Sequence, residues 1–152
     1  MIANSDQWVD VSIDRYLAEA DARHDGLIMT MNANDPKWSY VECTADGRVV
    51  RVAEKEVISN MATVGIYNFA RGADFVAAAR EMISANERVN GEFYVAPVYN
   101  RLARKGAVVG TFSIGSEAQG MYGLGIPADL QLFLGLPACD KALAPFQPTV
   151  SA

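Results

Sequence analysis

Apolar positions in residues 12–24, SIDRYLAEADARH, fall at Ile13, Tyr16, Leu17 and Ala20, spaced by three and four. That period predicts an amphipathic helix, with Ser12 or Asp10 as its N-cap and Gly26 just beyond its end. LIMTM (27–31) is a short unbroken apolar run and predicts a buried strand. NANDP (32–36) is turn chemistry, and Asp46-Gly47 between WSYVEC and RVVRVAE predicts a hairpin. ATVGIYNFA (62–70) predicts a further strand, and ADFVAAAREMISAN (73–86) a helix with Phe75, Val76, Ala79, Met82 and Ile83 on its apolar stripe. EFYVAPVYNRLARKG (92–106) reads as a third helix with Pro97 near its start, AVVGTFSIG (107–115) as a strand, and PADLQLFLGL (127–136) as a last helix opened by Pro127. Residues 137–152 are proline-containing and aperiodic, which predicts a flexible tail after a domain spanning 1–136. Helices alternating with strands around an inserted hairpin predict an α/β layered domain with a mixed sheet.

Composition narrows the function. The chain has 152 residues, 51% of them hydrophobic, and a net charge of −5. An acidic surface argues against a nucleic-acid partner, which needs a basic face. No apolar run reaches the ~20 residues of a membrane span, and the N-terminus lacks the pattern of a signal peptide. These features point to a cytoplasmic protein. Cys43 and Cys139 then read as free thiols rather than a disulfide, and a lone histidine, His24, leaves no zinc-type cluster. No GxGxxG or GxxxxGK[ST] phosphate loop occurs.

Several residues could carry chemistry, each with a plainer reading. Asp6 could hold Mg²⁺, which takes one or two carboxylates beside substrate phosphates, or lie in a helix-entry turn. Glu54 and Lys55 end a strand, where both could turn into a cleft, or form a solvated edge. Asn90 and Glu92 could cap a helix, and Gly123 and Gly125 before Pro127 could expose amides to an anion or merely punctuate a turn. Trp38, Tyr40 and Tyr67 read as core, and His24 as a surface residue at a helix end.

Taken in order, NSDQWVD, VAEKEV, ATVGIYNF, NGEFYVAPVYN and MYGLGIPADL over residues 2–134 resemble the sugar-phosphate nucleotidyltransferases, the group that includes glucose-1-phosphate thymidylyltransferases and the cytidylyl- and guanylyltransferases of capsule and lipopolysaccharide synthesis. The resemblance implies a nucleotide-diphospho-sugar transferase fold, Rossmann-like. It implies a reaction joining an NTP to a sugar phosphate with release of pyrophosphate, and Mg²⁺ as cofactor. It assigns Asp6 to the metal and to catalysis, and Lys55 to the sugar phosphate and to catalysis. Glu54 is assigned to sugar hydroxyls, and Thr63, Val64, Gly65 and Tyr67 to the pocket floor. Ser39 takes the place of a glycine backbone against the sugar, and Glu92 that of a pocket carboxylate.

The resembling run starts downstream of the family's GGxGxR loop. Gly123 stands where many relatives have a second metal-binding aspartate, and Ile126 and Ala128 replace polar groups. The expectation is therefore a partial domain, inactive alone, that forms a homo-oligomer or works with a chain carrying the N-terminal half. Two alternatives stay open: a non-catalytic module binding a sugar phosphate or nucleotide-sugar, and a folded, oligomeric gene fragment without function.

Overall fold

The computed structural model describes residues 1–146. In chain order the elements are β1 (Ile2–Ala3), β2 (Gln7–Val9), α1 (Ile13–Arg23), β3 (Gly26–Asn32), β4 (Ser39–Cys43), β5 (Val49–Glu54), β6 (Met61–Phe69), α2 (Gly72–Ser84), α3 (Val98–Arg104), β7 (Val109–Glu117), β8 (Gly120–Gly123), α4 (Pro127–Leu134) and α5 (Pro137–Leu143), followed by a 3₁₀ turn, Ala144–Phe146. The strands form one mixed sheet in the order β2-β8-β7-β3-β6-β4-β5, with β1 paired to β6. Strand β3 is parallel to β7 and antiparallel to β6.

Strand β3 is buried on both faces because its neighbours on either side are strands and both faces carry helices. Leu27, Met29 and Met31 project towards α1, where they meet Tyr16 and Ala20. Ile28 projects the other way, into a core shared with Ala78 and Met82 of α2 and Val98, Tyr99 and Leu102 of α3. Period-two alternation thus feeds two cores from one strand. Two tyrosines bridge sheet and helices: Tyr16 donates to the Leu27 carbonyl at 2.6 Å, and Tyr99 to the Asn68 carbonyl at 2.8 Å. A buried phenol needs such a partner.

Strand β6 carries a bulge. Ile28 faces Tyr67, yet Thr30 faces Thr63, so β6 spends two more residues than β3 over this stretch. Gly65 sits inside it at φ +73, a conformation that glycine adopts without a Cβ penalty. On the far side of the hairpin, Asn100 of α3 completes the edge of β5. It accepts from Val52 N–H at 2.7 Å and donates to Val52 C=O at 2.8 Å, imitating a neighbouring strand and blunting a free edge.

Three expectations are corrected. The helix expected over 92–106 begins only at Val98: a turn over residues 95–98 leads into it, and Pro97, which has no N–H to donate, stands at its N-cap. Asn90 and Gly91 do not cap it; both have positive φ and form a two-residue turn closed by Val89 and Glu92, the asparagine-glycine hairpin signal. Residues Pro137–Leu143 form a helix with Cys139 buried, where the sequence suggested a tail. The rest of that tail, 147–152, lies outside the described residues. Short strands β1, β2 and β8 carry too few residues to show a period.

Candidate functional site

The β4–β5 hairpin and strand β6 open onto a cleft of about 390 Å³. Its walls include Ser39, Glu54, Lys55, Thr63, Gly65 and Tyr67, all six singled out from the sequence, together with Asn4, Lys37, Trp38 and the segment Phe93–Ala96. Residues 63, 65 and 67 share one face of β6, as strand alternation requires. Thr63 Oγ1 and the Tyr67 hydroxyl are hydrogen-bonded at 2.9 Å. Burial pushes the Tyr67 phenol up to about 12, so its proton stays in place at neutral pH.

Ser39 and Glu54 face each other across β4 and β5, and Ser39 Oγ donates to Glu54 Oε2. Glu54 is half-buried. Its burial raises the carboxyl above its ordinary range, opposed by the Ser39 hydrogen bond and the Lys55 charge. Lys55 then leaves the strand in the left-handed region, φ 56. That turn breaks the alternation which would send neighbouring side chains to opposite faces, so both residues line the same cleft. The Lys55 ammonium donates to the Tyr94 hydroxyl at 2.9 Å, and Tyr94 donates to Glu92 Oε2 at 2.6 Å. The second cation, Lys37, is already engaged by Glu117 at 2.9 Å. Trp38 Nε1 is buried and has no hydrogen-bond partner among the described residues.

Three of the residues named from sequence stand elsewhere. Val64 is fully buried in the α1-side core, with its carbonyl accepting from Gln7 Nε2; its side chain is not on the cleft wall. Glu92 stands behind Tyr94 rather than on the wall. Asp6 lies against the loop before α4: its backbone carbonyl accepts from Leu124 N–H at 2.8 Å, and a Cβ at Gly125 would lie 2.7 Å from its Oδ2. Across that loop, a Cβ at Gly123 would lie 3.2 Å from Asp129 Oδ2. The two glycines make room for carboxylates that are hard oxygen donors of the kind Mg²⁺ takes. Among the described residues, no group of three or more histidine, cysteine or acidic side chains is assembled as a metal cluster.

Sequence reasoning passed over Asn4, Lys37, Tyr94 and Phe93–Ala96. Pro97 was the available signal for the last, since it marks a turn and a helix start, which leaves the residues before it outside the helix. The contact of Asn4 with Gly65 had none, because it depends on β1 lying across β6.

No family model matches the sequence, and no curated protein matches it. Solved structures do. A nucleoside-diphosphate-sugar pyrophosphorylase from Vibrio cholerae is 27% identical with a TM-score of 0.71, over 88% of this chain and 55% of its own. A glucose-1-phosphate thymidylyltransferase from Bacillus anthracis, described as putative, is 17% identical with a TM-score of 0.63, over 84% and 49%. The inositol-1-phosphate CTP transferase of T. maritima is 14% identical with a TM-score of 0.58, over 99% and 56%. The chain spans about half the length of each, and over that half it has the fold of the sugar-phosphate nucleotidyltransferases.

Proposed function

We propose that the cleft binds a sugar phosphate, as the sugar-phosphate half-site of a reaction joining an NTP to a sugar phosphate with release of pyrophosphate. One observation carries this reading: the hairpin delivers a carboxylate and an ammonium, Glu54 and Lys55, to one cleft. Glu54, Ser39, Thr63 and Asn4 offer acceptors and donors for ring hydroxyls. Lys55 meets the phosphate as a point charge. The names of the structural neighbours support the same substrate class.

In this reading Asp6 is the residue that would hold Mg²⁺, whose chemistry is to neutralise phosphate charge during transfer. Lys55 and Asp6 are the catalytic candidates, and Glu92 acts through Tyr94. The setting is cytoplasmic, with Cys43 and Cys139 as free thiols. Turnover needs a nucleotide-binding loop, which residues 1–152 do not contain; in this reading the chain forms a homo-oligomer or works with a separate chain that carries the loop. The exposed leucines 130, 132 and 134 of α4 favour such an association.

Titration of hexose 1-phosphates and inorganic phosphate, followed by NMR chemical shift, tests the reading. Lys55→Ala is expected to weaken hexose 1-phosphate about tenfold, as loss of a charge-assisted hydrogen bond does. Arg51→Ala is the control, because Arg51 is committed to Glu56 at 3.0 Å on the exposed side of β5. Equal losses would mean a diffuse surface field, and saturation by no hexose phosphate would refute the reading.

A further inference from the structure

The cleft's one strained backbone position belongs to its phosphate-facing candidate. Lys55 sits in the left-handed region at φ 56, a conformation that residues with a Cβ seldom adopt. Its side chain is exposed, where a polar contact adds little to stability and a long lysine chain resists being fixed. Even so, the ammonium is held by one residue. Tyr94 accepts from Lys55 Nζ at 2.9 Å, and its ring centroid lies 5.1 Å from the same nitrogen.

The direction of the hydrogen bonds is what makes this arrangement useful. A phenol has one proton. Tyr94 gives it to Glu92 Oε2 at 2.6 Å, so the oxygen lone pairs face Lys55. The ammonium has three N–H groups, spends one on Tyr94, and keeps two for a ligand. The link joins residues 39 apart in sequence, one on the β5 exit and one in the segment before Pro97, and both line the cleft.

We infer that Tyr94, oriented by Glu92, is a positioning residue that sets the Lys55 ammonium in the cleft for the phosphate of a sugar phosphate. This rests on the substrate reading above and adds a residue and a mechanism to it. The negative charge of Glu92, passed on through the phenol, also favours the charged form of Lys55, whose titration is raised first by the Tyr94 hydrogen bond.

The test compares the unaltered chain with Tyr94→Phe, which keeps the ring and removes only the oxygen. The first readout needs no ligand: proton exchange of the Lys55 ammonium in lysine-¹⁵N-labelled protein, assigned with Lys55→Arg. The second is affinity for glucose 1-phosphate and for glucose. The expected result is faster exchange at Lys55 and about fivefold to tenfold weaker glucose 1-phosphate binding, with glucose unchanged. Glu92→Gln, whose amide oxygen still accepts from Tyr94, is expected to recover most of both.

Unchanged Lys55 exchange in Tyr94→Phe overturns the positioning role whatever binds. Equal losses for glucose and glucose 1-phosphate overturn it too, because Tyr94 then only shapes the wall. If exchange responds but the unaltered chain binds no glucose 1-phosphate, the sugar-phosphate reading is refuted, and the phosphate-facing purpose of Tyr94 falls with it.

Discussion

Replacing Gly65 with alanine tests whether the bulge in β6 shapes the cleft floor. At φ +73 an alanine is strained, by roughly 1–2 kcal/mol for an L-residue in the left-handed region. Its Cβ would also stand 2.6 Å from Asn4 Cγ, and forcing such an overlap costs about 1–3 kcal/mol. Alanine recovers about 0.4–1 kcal/mol by restricting the unfolded chain. The net expectation is a loss of about 1–4.5 kcal/mol. With a urea m-value near 2 kcal/mol/M, the midpoint should fall by about 0.5–2 M.

The two contributions separate in a double-mutant cycle. Asn4→Ala removes the obstruction and leaves the backbone strain, so the pair should couple favourably by about 1–2 kcal/mol, while the φ contribution persists. Because Asn4 lines the cleft, displacing it should also weaken hexose phosphate binding in the single variant. A Gly65→Ala chain within about 0.5 kcal/mol of the original, the range of an ordinary surface change, would refute the claim that Asn4 and the bulge define the floor.

Glu54→Gln should stabilise the protein above the carboxylate range and leave it almost unchanged near pH 3. The folded-state pKa of Glu54 is raised, so between the unfolded and folded values the native state holds more protons, and stability falls as pH rises through that window. Denaturation midpoints at acidic and neutral pH check the sign, and an acidic-only gain would contradict it. Asn100→Ala should cost about 1–3 kcal/mol by leaving the N–H and C=O of buried Val52 unpaired. It should also weaken hexose phosphate binding, because Val52 lies two residues before Glu54; a denaturation curve and the same titration measure both.

The sequence carried whatever depends on neighbours within a turn or two. The helix at 12–24, the buried run at 27–31, the Asp46-Gly47 hairpin and the proline-opened helix at 127 all follow from local period and backbone preference, and each is present. The ordered motifs also marked six of the residues that line the cleft. Tertiary structure decided the rest, because it depends on sheet register. Strands of two to four residues exist only through their partners. Alternation separates Val64 from Thr63 and Tyr67, but only the pairing of β6 with its neighbours decides which of the two faces is core and which is cleft. Asp6 turns towards the loop before α4, over a hundred positions along the chain. No local pattern brings Tyr94 to Lys55; only the packing of the segment before α3 beside the β4–β5 hairpin does, since convergence across such separations is set by which strands pair and where.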